Sequence, residues 1–315
     1  MIALPNVSRV IIAISLVSLV IQIAASVYLI PKINQPLELG YILLALVFEL
    51  LAFAVLAPFA RNFYAREKAV LSYRQSFALL LASESFSRLV PFGDYFVQRF
   101  YFNRHRLPVG APLRYITVLY SFGLLSLIAL FLGFQLAVFA LYPNKVSTGF
   151  AGKFIYIPLV ITGIVFAIYL LRRSPRLTRR LQAFFKRYLG SKLDSPFTVI
   201  GLTRRPLLSN LALISPLLLT WLLEGGAYVS CLKAFGVTAP ILLSLYAYTF
   251  VKMFRFIPIF PGGVGEIETT SALLFSSYGF AVAPIITGSI LFRFVSYWFP
   301  LALGTLSARA ILRRQ

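Results

Sequence analysis

The chain has 315 residues, of which 59% are hydrophobic and only 12% are charged, and its mean hydropathy is +0.85. This composition predicts a protein that resides in a lipid bilayer and excludes an ordinary soluble enzyme. The net charge of +21 could suggest nucleic acid, but the basic residues lie between apolar runs, which favours loops beside a membrane and excludes a nucleic-acid partner.

Six apolar runs are long enough to cross about 30 Å of hydrocarbon as helices. In chain order they cover residues 10–30, 41–59, 114–142, 154–171, 207–235 and 283–308. The first run follows Arg9 and could be a signal peptide. Its length of about twenty residues and the spans that follow favour an uncleaved transmembrane helix.

Two further segments, 77–103 and 241–281, are apolar at both ends but carry Arg, Pro, Gly and acidic residues in the middle. The first contains SESFSRLVPFGDYF, and the second contains KMFRFIPIFPGGVGEIE. Pro and Gly interrupt the hydrogen-bond ladder of a helix, so neither segment predicts an ordinary span. We expect two re-entrant helical hairpins, each of which enters and leaves the membrane on one side.

The basic residues orient this topology. If the chain starts inside and each hairpin returns to its own side, most of the 30 basic residues are cytoplasmic, including those of a basic loop at 172–206. This distribution obeys the positive-inside rule. We therefore expect an all-α polytopic protein of the cell (cytoplasmic) membrane, with a cytoplasmic N-terminus and C-terminus.

The two hairpin segments share a pattern: an arginine, a proline three residues later, and then glycine beside an acidic residue. The first copy is Arg88, Pro91, Gly93 and Asp94, and the second is Arg255, Pro258, Pro261, Gly262, Gly263, Gly265 and Glu266. Three crossings separate the copies, so they enter from opposite sides, which predicts an inverted repeat. Its halves are 41–142 and 207–308, within a single membrane domain, 1–315.

Four basic residues, Arg88, Lys252, Arg255 and Arg293, fall at predicted membrane depth. Each would cost on the order of 2.5–3.5 kcal/mol if it faced lipid, so we expect them to face a protein interior or an aqueous cavity. The alternative role is a set of buried ion pairs, for which Glu84 is a local partner of Arg88. The residues expected to balance charge or relay protons are Glu49, Glu224, Lys252 and Glu268.

The glycine run FPGGVGEIE, residues 260–268, precedes a predicted helix whose unpaired N–H groups could bind a phosphate beside Arg255. The alternative is a tight turn whose two glutamates stabilise the positive end of that helix. The run lacks the Lys-Ser/Thr ending of a nucleotide P-loop. The single histidine, His105, lies in a basic interfacial stretch and Cys231 has no partner, so we expect no metal, cofactor or covalent catalysis.

Residues 255–304, from RFIPIFPGGVGEIE to WFPLALG, resemble the signature of the lysylphosphatidylglycerol synthase transmembrane family, a flippase-like membrane domain. Residues 87–112, SRLVPFGDYFVQRFYFNRHRLPVGAP, resemble an earlier element of that family. The resemblance implies a polytopic α-helical domain that moves a lipid, such as an aminoacylated phosphatidylglycerol, between leaflets. Members are also associated with polyprenol-linked or glycolipid metabolism. The resemblance implies that three groups of residues occupy positions of the family motif. They are Arg88, Pro91 and Gly93 of the first copy, all seven residues of the second copy from Arg255 to Glu266, and Arg293.

In aminoacylating members a soluble transferase domain follows, whereas this sequence ends at Gln315. We therefore expect transport, or service to a separate enzyme, rather than lipid synthesis. The leading hypothesis is a lipid flippase or scramblase-like transporter that moves an anionic phospholipid or a lipid-linked intermediate, including a polyprenol-linked lipid, through a polar cavity lined by the hairpins. In that cavity we expect Arg88, Arg255 and Arg293 to neutralise the phosphate of the lipid head group. The alternatives are an intramembrane lipid-phosphate transferase or phosphatase that uses Asp94, Glu266 or Glu268, and a non-catalytic partner of a lipid-modifying enzyme or glycosyltransferase. A homo-oligomer is left open.

Overall fold

The computed structural model describes residues 37–89, 93–142, 207–254 and 266–313, together with Val20 and Ala24, and within them it contains helices and no strands. In chain order the helices are α1 (Leu39–Arg66), α2 (Tyr73–Leu89), α3 (Gly93–Arg104), α4 (Ala111–Leu141), α5 (Leu207–Lys233), α6 (Ile241–Phe254), α7 (Glu266–Ser277), α8 (Val282–Arg293), a π-helical turn (Phe294–Trp298) and α9 (Phe299–Arg313). The last three elements follow one another without interruption.

Among the described residues, four helical stretches are long and apolar enough to cross a membrane: Leu39–Arg66, Ala111–Leu141, Ile214–Lys233 and Val282–Ala308. They coincide with the predicted spans at 41–59, 114–142, 207–235 and 283–308, which confirms a polytopic α-helical membrane protein. Apart from Val20 and Ala24, the predicted spans at 10–30 and 154–171 and the basic loop at 172–206 lie outside the described residues.

The described helices follow the same order in the two halves of the chain. Each half begins with a long helix (α1 or α5), continues with two shorter helices (α2 and α3, or α6 and α7), and closes with a long helical stretch (α4, or α8 to α9). The Pro/Gly stretches of the two predicted hairpins fall between the paired short helices.

Helices α1 and α5, which open the two halves, pack along each other in opposite directions. The backbone N–H of Glu38, before α1, donates to the carbonyl of Ala234, after α5, at 3.1 Å. Farther into both helices, Gly226 lies so close to Phe48 that a Cβ on the glycine would be 3.2 Å from the ring. The opening helices of the halves are therefore antiparallel.

Helices α2 and α9 also run antiparallel and approach each other very closely. The Ser85 hydroxyl donates to the carbonyl of Pro300 at 2.9 Å, and one turn away Gly304 lies against Leu81. A Cβ on Gly304 would be 2.1 Å from the Leu81 carbonyl oxygen and 1.7 Å from the Ser85 Oγ. Only a residue without a side chain permits this backbone separation.

Four helices, α1, α3, α5 and α7, end in the same hydrogen-bonded cap. A residue with positive φ follows the helix, and the next N–H donates to the carbonyl five residues earlier, which closes the end of the helix. These bonds run from Ala69 to Tyr64 (2.9 Å), Leu107 to Phe102 (2.8 Å), Val237 to Leu232 (3.2 Å) and Phe280 to Phe275 (3.1 Å).

The residue with positive φ differs between the halves. It is Lys68 (φ 61°) or Arg106 (φ 54°) in the first half, and Gly236 (φ 69°) or Gly279 (φ 87°) in the second. A left-handed conformation disfavours a residue with a Cβ, so the two basic residues hold these positions at a cost in backbone energy.

The end of the first half that carries these two caps is strongly basic. Glu67, beside the first cap, forms an ion pair with Arg114 at the start of α4. The other basic side chains near this end are exposed: Arg61, Arg66, Lys68, Arg74, Arg99, Arg104 and Arg106.

Two hydrophobic clusters form the core of the described residues. In the first half, the Tyr64 ring packs against Phe102 and Tyr115 at centroid distances of 4.8 and 4.9 Å. In the second cluster, Phe131 of α4 packs against Tyr246 and other α6 residues, with a centroid distance of 5.4 Å to Tyr246. A polar cavity lies between the two clusters.

Replacing the basic cap residues by glycine should stabilise the protein. We expect Lys68→Gly and Arg106→Gly each to raise the free energy of unfolding by about 1 kcal/mol, because glycine adopts positive φ without a Cβ clash. Thermal unfolding of the purified protein in detergent measures this change. The control Lys68→Ala removes the charge but keeps a Cβ, so it should give no gain. Equal shifts in the glycine and alanine variants would show that charge, not backbone strain, is responsible.

Adding a methyl group at Gly304 should loosen α2 from α9. We expect Gly304→Ala to lower the free energy of unfolding by about 1–3 kcal/mol, because the new Cβ overlaps the α2 backbone. The matched control is Gly133→Ala within α4, where no atom lies within 4 Å of the added Cβ. That control should stabilise its helix by up to about 1 kcal/mol, so a loss of the same size in both variants would contradict the close α2–α9 approach.

Candidate functional site

A cavity of about 340 Å³ lies between the two hydrophobic clusters. Helices of both halves line it, α1 to α4 from the first and α5 and α6 from the second. Its walls are Phe53 and Leu56 of α1; Leu80, Ser83, Glu84 and Ser87 of α2; Asp94 and Gln98 of α3; Leu119, Tyr120 and Gly123 of α4; Leu217, Thr220, Trp221 and Glu224 of α5; and Lys252 of α6. The cavity is therefore shared by both halves of the chain.

The cavity wall combines charged and apolar groups. Its described charged side chains are Glu84, Asp94, Glu224 and Lys252, and hydroxyl, amide and indole groups lie among them. Leucine and phenylalanine side chains from four helices complete the lining. Such a wall can contact both the polar and the hydrocarbon parts of an amphipathic molecule.

Asp94 is held in the cavity by the start of α3 and by α4. Gly93, which begins this helix, lies so close to α2 that a Cβ would be 2.0 Å from the carbonyl oxygen of Phe86. The next side chain, Asp94, accepts a hydrogen bond from the Tyr95 N–H at 2.8 Å and another from the Tyr120 hydroxyl at 3.1 Å. A carboxylate in the first turn also stabilises the positive end of the helix.

Glu224 and Lys252 link α5 to α6 inside the cavity. They form an ion pair, and the Tyr248 hydroxyl donates to the same carboxylate oxygen of Glu224 at 2.9 Å. Because Lys252 is only 5% exposed, its ammonium group needs such partners to offset the loss of water.

Three aromatic rings surround the same ammonium group. The Lys252 Nζ lies 5.6 Å from the Trp221 centroid, 5.4 Å from Tyr248 and 5.8 Å from Phe292, distances at which ring faces attract a cation. The Trp221 indole N–H in turn donates to the carbonyl of Gly123 and to Ser126, both at 3.0 Å. The lysine is therefore positioned by residues of three helices, one of which is tied to α4.

Arg293 and Glu268 form a second buried ion pair, between α8 and α7. The Arg293 Nη2 donates to Glu268 Oε2 at 3.1 Å, and its Nε lies 3.0 Å from Oε1. The two residues are 2% and 8% exposed, and neither lines the cavity. In the described structure, Arg293 pairs with a carboxylate of the neighbouring helix. The contact of Arg293 with a lipid phosphate therefore stays a prediction.

The remaining predicted site residues are placed only in part. Glu49 is buried in α1. Arg88 belongs to the last turn of α2 and Glu266 begins α7, but their side chains lie outside the described atoms. Outside the described residues altogether are Pro91, Arg255, Pro258, Pro261, Gly262, Gly263 and Gly265.

Three polar residues of the cavity wall, Gln98, Tyr120 and Trp221, and one that contacts its ion pair, Tyr248, were not predicted from the sequence. Two of them had a usable signal, since Trp221 and Tyr248 precede Glu224 and Lys252 by three and four positions, on the same helical face. Tyr120 reaches Asp94 from another helix, which no local spacing reveals. In the described part of the chain, no group of three His, Cys, Asp or Glu side chains could hold a metal ion.

Removing one partner of the Arg293–Glu268 ion pair should destabilise the protein more than removing both partners. We expect Arg293→Met to lower the free energy of unfolding by about 3–5 kcal/mol, because it leaves a buried carboxylate without its partner. The double variant Arg293→Met with Glu268→Met should recover most of this loss, since no charge remains buried. Thermal unfolding in detergent compares the two, and a double variant no more stable than the single one would contradict a direct pairing.

A family model of the lysylphosphatidylglycerol synthase transmembrane region matches residues 7–304. A comparison with the curated proteins found no match, and neither did a comparison with the solved structures. The family match covers nearly the whole chain, and both predicted hairpin segments and all described cavity residues fall within it. The chain therefore belongs to the lysylphosphatidylglycerol synthase transmembrane family.

Proposed function

We propose that this protein is a flippase or scramblase-like transporter that moves an anionic phospholipid or a lipid-linked intermediate between the leaflets of the cell membrane. The observation that carries the proposal is the cavity between the two halves, with charged and apolar walls supplied by both. A polar head group needs such a path, because a charge that crosses hydrocarbon unaided meets a prohibitive cost.

The arrangement of the helices supports alternating access to this cavity. The α1–α5 contact is antiparallel, and each half places two short helices between long ones. We propose that the short pairs are re-entrant hairpins related as an inverted repeat, the design in which transporters bind their substrate near the midplane and rock one repeat against the other.

The basic end of the first half supports the proposed orientation. Its exposed lysine and arginine side chains surround the caps at Lys68 and Arg106, whereas the equivalent caps of the second half are glycines. The positive-inside rule places the basic end in the cytoplasm. Because α9 runs antiparallel to α2, its last turn lies at the same end, which agrees with a cytoplasmic C-terminus.

Lys252 is the described cation best placed to bind a lipid phosphate. It lines the cavity, and its ammonium group can exchange the Glu224 carboxylate for a phosphate oxygen, since both are oxyanions. We propose that Arg88, Arg255 and the backbone N–H groups of the glycine run at 261–265 add to this site, and that Asp94 and Glu224 balance charge or carry protons.

Transport can be measured in liposomes that contain fluorescent head-group-labelled lipids, anionic or zwitterionic, with dithionite added outside. Wild-type protein should expose inner-leaflet lipid to quenching. We expect Lys252→Met to slow the transfer of the anionic lipid about 10- to 100-fold, the effect of losing a charged hydrogen bond of about 1.5–3 kcal/mol. The control Lys233→Met removes a lysine at the end of α5, outside the cavity, and should transport normally.

A second variant tests whether slow transport by Lys252→Met comes from misfolding rather than from loss of the phosphate ligand. Lys252→Met with Glu224→Gln removes both members of the ion pair, so neither charge is left without its partner, and this variant should fold as the wild type and still transport slowly. If folded wild-type protein moved no labelled lipid faster than empty liposomes, the proposed function would be wrong. Normal transport by both Lys252 variants would reject this lysine as the phosphate ligand.

A further inference from the structure

An apolar groove of about 230 Å³ lies on the outside of the α2–α3 hairpin. Leu79, Ala82 and Phe86 of α2 form one wall, Phe96 and Phe100 of α3 form another, and Ala308 of α9 closes the end. All side chains that line it are hydrophobic. Water would find few hydrogen-bond partners there, so a hydrated groove is unfavourable.

The groove and the cavity use different faces of the same helix. Along α2, Leu79, Ala82 and Phe86 face the groove, whereas Ser83 and Ser87 face the cavity. The intervals of three and four residues within each set are those of one helical stripe. The hairpin therefore separates a polar compartment from an apolar one, and the groove is not an extension of the cavity.

A second stripe, on α3, runs from the groove to the basic end of the molecule. Phe96, Phe100 and Arg104 recur every four residues, so they lie on one helical face. The two phenylalanines are 53% and 54% exposed, and Arg104 is exposed as well. In the sequence, Ala308 is followed directly by Arg309, the first charged residue after Arg293, so the groove lies where the apolar run gives way to basic residues.

The size and chemistry of the groove indicate which kind of molecule can bind in it. A helix with its side chains is about 10–12 Å wide and is too bulky for this volume. A single hydrocarbon chain is slim, fully apolar, and abundant beside a membrane-spanning protein. The guanidinium of Arg104 at the end of the stripe suits a phosphate, with which arginine forms paired hydrogen bonds.

We propose that this groove binds one acyl chain of a bilayer phospholipid whose phosphate lies beside Arg104. The site goes beyond the proposed function, because binding there does not require transport. It would hold a lipid on the outer wall of the hairpin whose inner wall forms the cavity.

Quenching by brominated lipid tests the site directly. A bimane label is attached to Phe96→Cys, or to the control Leu125→Cys, which is 44% exposed on α4 and outside the groove. Both proteins are reconstituted in phosphatidylcholine with increasing mole fractions of phosphatidylglycerol brominated on its acyl chains. The native Cys231 is fully buried, and unmutated protein measures its background labelling.

We expect the groove label to reach half-maximal quenching at a several-fold lower mole fraction than the control label. Arg104→Gln in the Phe96→Cys protein should raise that mole fraction about fivefold, the contribution of one basic residue near an anionic lipid. Identical quenching curves at the two labels would mean that phosphatidylglycerol contacts the groove no more strongly than it contacts the control position, and they would overturn the proposal. If the groove label is half-quenched at a low mole fraction and Arg104→Gln does not raise that mole fraction, the proposed position of the phosphate beside Arg104 would be wrong. Neither readout depends on transport, so a failed transport assay leaves this test intact.

Discussion

The cost of burying charge among apolar helices governs this structure. Lys252 is offset by Glu224, Arg293 by Glu268, and Asp94 by hydrogen bonds from Tyr95 and Tyr120. Each arrangement joins two different helices: α5 to α6, α7 to α8, and α3 to α4. Because burying an unpaired charge costs far more than the packing of one apolar side chain contributes, these partners restrict how the helices can be placed.

The second constraint is the antiparallel packing of the two halves. The contact between α1 and α5 brings the opening helices of the two halves together in opposite directions. One hydrophobic cluster lies within the first half, and the other joins α1 and α4 of the first half to helices of the second. The polar residues of both halves then meet in the seam between the clusters, where a cavity can form without breaking either core. The repeated caps show that the halves share local backbone structure, even though basic residues occupy the caps at one end and glycines occupy those at the other.

The α2–α3 hairpin has two chemically different faces. One face of the hairpin presents serine, acidic and amide groups to the cavity, and the other presents aromatic and aliphatic side chains to the groove. Glycine at two positions, Gly93 and Gly304, allows the backbones of α3 and α9 to approach α2 within distances that any side chain would prevent. The hairpin therefore supplies one wall to the cavity and another to the groove.

The sequence by itself determined the four described spans, because a run of apolar residues long enough to cross a bilayer is a local property that few other structures satisfy. It also determined that certain charges lie among apolar segments, and it marked the two Pro/Gly interruptions. It did not determine which charges pair, since Lys252 finds Glu224 28 positions away and Arg293 finds Glu268 25 positions away, each on a different helix. A polar cavity and three of its charged residues, Asp94, Glu224 and Lys252, were predicted from the sequence. Its lining by α1, α4 and α5, the cap residues Lys68 and Arg106, and the division of the hairpin into two faces followed only from the tertiary structure. These features depend on how closely and at what register neighbouring helices pack, and such distances arise from contacts between segments remote in the chain.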